Sequence, residues 1–136
     1  RLAGISLFKI NYIFISHLHA DHMLGLFGVI QTMGFLGKTE PLTIVGPKGI
    51  KRYIKLATDW DFFDASYPIK IIEITKDRKL IDNPDFTIHA YSVKHRDCPC
   101  FAYVFEEKTE LNLSKNKLKK LGLLRDPRCR ELKEKG

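Results

Sequence analysis

One junction near the amino end limits the possible folds more than any other feature. Residues 9-KINYIFIS-16 run straight into 17-HLHADH-22, and an apolar pattern of helical period follows at once. A short run of β-branched and aromatic residues reads as a buried strand over 9–16. From Asp21 to about Phe35, Met23, Leu24, Leu26, Phe27, Val29, Ile30 and Met33 recur at helical spacing, and Gly34 and Gly37 supply the stop. A buried strand that turns into an amphipathic helix within a few residues must pack helix on sheet, so the expected class is α/β in layers. The rest of the chain agrees. Residues 41–47 read as a strand and turn, 48–60 as a helix with Ile50, Tyr53, Ile54 and Ala57 on one side, and 67–74, 86–95 and 100–107 as strands. The polar connection 76-KDRKLIDNPD-85 reads as holding a hairpin.

The junction also carries chemistry. Three imidazoles and a carboxylate stand within the six residues His17 to His22. His17 and His19 are two apart at a strand end, so their side chains can point the same way. Asp21 and His22 fall at the start of the helix, where the dipole favours a carboxylate. Imidazole nitrogen and carboxylate oxygen are the ligands zinc takes. A hydrolytic zinc needs three protein ligands and one open position, and His17 and His19 supply two. His95, at the end of a strand before 96-RDCPC-100, is the expected third. His89 competes, but it sits inside the strand between Ile88 and Ala90 and reads as structural. Asp21 and His22 would give a second ion only two ligands.

Net charge is +7, and its distribution is uneven. Residues 111–136 hold nine Lys and Arg against three Asp and Glu, so nearly all the excess lies in the last stretch. A basic block on a neutral body suits a polyanion partner, although it would also serve as a solvated charged helix. Within it, Ser114 is the expected N-cap and Gly122 the C′ residue of a short helix bearing Lys115, Lys117, Lys119 and Lys120. Cys98, Cys100 and Cys129 are too few and too irregular for a disulfide framework, which suits a reducing, intracellular setting, cytoplasmic or, in a eukaryote, nuclear or organellar. Cys98 and Cys100 are too close in sequence, and without a second pair, to read as a zinc knuckle. No apolar run is long enough to span a bilayer, so no membrane partner is expected. The chain starts at Arg1 and stops at Gly136 without a closing element, and is expected to be an internal fragment.

HLHADH resembles the HxHxDH signature of the metallo-β-lactamase fold. The stretches 3-AGISLFKINYIFISHLHADHMLGLFGVI-30, 44-IVGPKGI-50 and 95-HRDCPCFAYVFEEK-108 together resemble the tRNase Z (ribonuclease Z) family. The basic tail, with a leucine-lysine helix and the ending 132-LKEKG-136, is similar to that family's substrate-gripping arm. Departures are Ala20 where many members have glycine, Phe27 where many have proline, and Asp126-Pro127 where the arm usually has Gly-Pro.

The resemblance implies a partial metallo-β-lactamase fold, half of an αββα sandwich, over residues 1–110, with a truncated basic arm over 111–136. It implies a two-zinc site, with His17, His19 and His95 on one ion and Asp21 and His22 on the other. Asp21 would also orient the attacking water or accept its proton. The implied activity is endonucleolytic removal of the 3′ trailer from precursor tRNA. Lys115, Lys117, Lys119, Lys120, Arg125, Arg128, Arg130 and Lys133 would grip the RNA, and the enzyme would be a homodimer. The family's bridging aspartate and final histidine have no counterpart in residues 1–136, so this chain alone is expected to be inactive. Two other readings stand beside this one. One is a different metallo-β-lactamase-fold hydrolase of small esters or phosphodiesters. The other is a noncatalytic RNA-binding relative.

Overall fold

The structure, a computed structural model, describes residues 4–59, 65–108, 113–123 and 126–129. The order of elements is β1 (Tyr12–Phe14), α1 (Ala20–Phe35), β2 (Leu42–Pro47), α2 (Ile50–Thr58), β3 (Ile69–Ile74), β4 (Arg78–Asp82), β5 (Phe86–Val93), β6 (Cys100–Glu107) and α3 (Lys115–Lys120). β1, β2 and β3 form one parallel sheet in that order, joined through the crossover helices α1 and α2. β4, β5 and β6 form an antiparallel sheet.

The strand alternation of the parallel sheet sorts its side chains into two cores. Ile13, Ile15, Leu42, Ile44, Ile69 and Ile71 face the helices and meet Met23, Leu26, Ile30 and Met33 of α1 and Ile50 and Ile54 of α2. Phe14, Val45, Ile72 and Ile74 face the other way, onto Leu80, Ala90, Phe101 and Tyr103 of the antiparallel sheet. The layers therefore run helices, sheet, sheet. Each fully buried Leu, Ile or Met contributes roughly 1.5–3 kcal/mol, so the four buried α1 residues bind that helix firmly to the sheet beneath it. The helix ends where its sequence says. Gly37 takes φ of +83°, its N–H meets the Gly34 carbonyl, and the Lys38 N–H reaches back to the Met33 carbonyl, which together close the last turn.

The expected strand over 9–16 is shorter than its apolar pattern. Leu7–Lys9 form a single 3-10 turn and regular pairing covers only Tyr12–Phe14. Beside this entry to β1 lies Lys38, a lysine only 2% exposed. Its Nζ donates to the Phe8 carbonyl (3.1 Å) and to Asn11 Oδ1 (3.2 Å), and lies 5.9 Å from the Tyr67 ring centroid. This ammonium ties down the Phe8 carbonyl and the Asn11 side chain at the entry to β1, while the Asn11 carbonyl itself still accepts the Thr43 N–H of β2. The expected strand 86–95 likewise stops at Val93, which leaves His95 in the loop. The expected hairpin is present: Asn83 Oδ1 accepts the N–H groups of Asp85 and Phe86 and turns β4 into β5.

Candidate metal centre

β1 and β2 are parallel, with Phe14 opposite Val45. Residues 17–19 and 47–49 therefore leave the sheet at the same carboxyl edge, where ligands of parallel sheets bind. The antiparallel sheet is stitched to this edge by its last strand. The Phe101 N–H donates to the Ser16 carbonyl (3.0 Å) and the Tyr103 hydroxyl to the Ile15 carbonyl (2.8 Å). Those two bonds carry the loop 94–99, and His95 with it, to the histidine rim.

His17, His19 and His95 each present a nitrogen there, and the three nitrogens lie within 4.8 Å of one another. The ring centroids are 4.6 Å apart for His17 and His19, 4.5 Å for His17 and His95, and 5.4 Å for His19 and His95. His95 meets His17 and His19 across 78 and 76 positions of sequence, and three imidazole nitrogens are a donor set suited to a divalent metal. The chemistry of the set therefore fits a metal ion. His17 is buried and His19 exposed. Ser16 Oγ lies 2.9 Å from His17 Nδ1, which fixes the ring and leaves Nε2 to the cluster. The His17 pKa is lowered, first by burial and then by His22, His95 and His19 around it. Its neutral form, the metal-binding one, is thereby favoured.

Asp21 and His22 stand in the first turn of α1, with Asp21 Oδ2 3.5 Å from His22 Nε2 and the His22 ring centroid 4.1 Å from that of His17. They adjoin the three-histidine group without belonging to it, and among the described residues no further His, Cys, Asp or Glu joins them. His89 lies apart on β5, its ring parallel to Tyr91 and its Nε2 4.0 Å from Glu106 Oε2. Cys98, Cys100 and Cys129 are free thiols.

In the basic segment, α3 is closed at both ends as the sequence predicts. Ser114 Oγ accepts the Lys117 N–H, and Gly122 follows the helix with φ of +67°. Lys115, Lys117, Lys119 and Lys120 are exposed. Arg128 is also exposed, but its guanidinium forks onto Asp126, with Nη2 to Oδ2 at 2.6 Å. Arg125, Arg130 and Lys133 lie outside the described residues.

Sequence reasoning missed Ser16, and it missed Glu73. Glu73 Oε1 accepts the N–H groups of Gly49 (2.8 Å) and Lys51 (3.1 Å) and so pins the turn between β2 and α2. Strand alternation could have placed Glu73 on the surface of β3, but its partner is set by the parallel register with Gly46.

Residues 2–113 match the family model described as a beta-lactamase superfamily domain. A curated relative, "Ribonuclease Z" of Methanococcus aeolicus, is 42% identical over 132 residues, which is 96% of this chain and 41% of that protein. "Ribonuclease Z" of Methanocaldococcus jannaschii is 40% identical over 131 residues. The chain spans about two fifths of the length of these relatives. Among solved structures, human tRNase Z, short form, superposes with a TM-score of 0.66 at 24% identity, over 79% of this chain and 49% of that one. The metallo-beta-lactamase fold protein YhfI of Bacillus subtilis superposes at 0.54. No helix among the described residues is long and apolar enough to cross a membrane.

Proposed function

The chain belongs to the beta-lactamase superfamily, and on that premise we propose that it supplies part of a ribonuclease Z. In this reading the whole protein is a zinc-dependent endoribonuclease that hydrolyses the phosphodiester joining precursor tRNA to its 3′ trailer. The observation that carries the reading is the convergence of His17, His19 and His95 at the carboxyl edge of the parallel sheet, with Asp21 and His22 beside them. The relatives named Ribonuclease Z support the choice of RNA over a small ester.

His17, His19 and His95 would hold one zinc, and Asp21 and His22 would contribute to a second. Bound zinc supplies Lewis acidity toward water and phosphate at neutral pH. The chain's own residues do the rest. Ser16 holds the His17 ring in one orientation. Burial and neighbouring histidines lower the His17 pKa and so favour its neutral form. Asp21, in the first turn of α1, would orient a water or take its proton.

Residues 111–136 would form the arm that grips the RNA backbone away from the cut, through Lys115, Lys117, Lys119, Lys120, Arg125, Arg128, Arg130 and Lys133. Phosphate contacts of this kind position a substrate without reading its sequence. The enzyme would work as a homodimer, with one subunit's arm serving its partner's site.

Deleting residues 112–135 from the full-length protein tests the reading. Cleavage of precursor tRNA should collapse while hydrolysis of bis(p-nitrophenyl) phosphate persists. Equal losses on both substrates would remove the arm from substrate binding. A full-length protein that hydrolyses only the small ester would be the other kind of hydrolase, and one that binds precursor tRNA without cutting it would be the noncatalytic relative.

A further inference from the structure

Next to the histidine group lies a cavity of about 130 Å³, lined by Leu18, His19, Pro47, Lys48, Cys98 and Pro99. Its walls come from three segments that leave the sheets at one rim: the loop after β1, the turn after β2 and the loop before β6. Two prolines and a leucine make the walls largely apolar, His19 joins the lining, and Lys48 is its single lysine. Among the described residues no ion pair involves Lys48.

The turn that carries Lys48 is fixed. Gly49 holds φ of +107°, and a Cβ there would stand 3.0 Å from Leu18 Cδ1. The Glu73 carboxylate takes the N–H groups on either side of Ile50. Lys48 therefore belongs to a wall that is tied to β3 on one side and abuts the cavity's own Leu18 on the other.

We infer that this cavity receives the nucleoside adjoining the scissile phosphodiester, with Lys48 meeting the next phosphate along the RNA. The inference rests on the endoribonuclease reading. Apolar walls beside a cation suit a base or ribose followed by a phosphate, since the flat apolar part leaves water and the charge is matched. His19 itself lines the cavity, so in this reading its occupant lies next to the bond being cut. The turn's anchor, Glu73, is a positioning residue, since it acts through Lys48.

The test is steady-state cleavage of precursor tRNA by the full-length enzyme and its Lys48→Ala and Lys48→Arg variants across a salt series. Lys48→Ala should raise KM about tenfold, with kcat nearly kept, and Lys48→Arg should recover most of the loss. The slope of log KM against log salt should fall by about one. The loss should be larger on precursor tRNA than on bis(p-nitrophenyl) phosphate, which has no further phosphate to meet. An unchanged KM and salt slope would overturn the inference, as would equal losses on both substrates. A wild-type enzyme that cuts the small ester but not precursor tRNA would instead take down the endoribonuclease reading, and the nucleoside with it.

Discussion

His95 and His89 are six residues apart and both belong to or follow the same strand, yet only His95 reaches the cluster. Removing a ligand should cost more than the roughly 10–100-fold lost when an outer partner of a metal site is removed. His95→Ala should therefore weaken Co²⁺ or Zn²⁺ binding by more than about 100-fold, while His89→Gln leaves it within about twofold. Isothermal titration would show this, and equal losses would put His89 in the site. A second residue-scale effect concerns acid stability. Lys108 and Lys79 hydrogen-bond the Asp82 carboxylate and hold its pKa at about 2, below the ordinary 3.8. A depressed carboxylate stabilises the fold above the unfolded pKa, and the contribution disappears as pH falls from about 3.8 to about 2. Asp82→Asn should thus lower the urea midpoint at pH 7, and the gap to wild type should close over that acid window. All three side chains are substantially exposed, so the gap should also shrink in high salt. The cluster's histidines were legible because ligand-type residues at a strand end announce themselves. Lys38, Ser16 and Glu73 were not, because each acts on a group whose nearness is created by packing or register rather than by spacing in sequence.

Period carried the helices and most strands at the scale of elements. α1 was expected from Asp21 to about Phe35 and occupies Ala20–Phe35, since its apolar stripe and its closing glycine agree. β1 was legible as a strand but not in length, and nothing in 9-KINYIFIS-16 signals that a lysine 27 positions beyond Asn11 will bond to that segment. The amino end of α2 shows the same limit. Its N-cap, Gly49, has no side chain to offer, and the role falls to Glu73 from β3. A carboxylate accepting two N–H groups at a helix start is worth about 1 kcal/mol. Glu73→Ala should lower stability by about that much, and Glu73→Gln by less, since an amide oxygen still accepts. Gly49→Ala should cost at least as much, because alanine at φ of +107° is strained and its Cβ meets Leu18. Thermal melts of the three variants would rank them, and a neutral Glu73→Ala would show that water replaces the carboxylate.

For the whole molecule the deciding quantity is a count of ligands. The layered architecture brings the carboxyl edge of the parallel sheet and the loop before β6 to one rim, and three histidines from two distant segments complete a trigonal donor set there. The second pair, Asp21 and His22, sits close enough to share the rim, but among the described residues no third donor joins it. A tetrahedral site that binds tightly needs three protein ligands, so the two halves of 17-HLHADH-22 should differ sharply in affinity when the 136-residue chain is tested alone. Circular dichroism would first establish that the chain is folded. Titration with Zn²⁺ should then show one tight ion per chain, abolished by His17→Ala and little changed by Asp21→Ala. Any second ion should bind at least about 100-fold more weakly, and the chain should not cleave precursor tRNA at any zinc concentration. Two tight ions, or cleavage by the isolated chain, would mean that the Asp21 and His22 site is completed by donors within these residues. The donor that completes the pair would then not have to come from elsewhere in the protein.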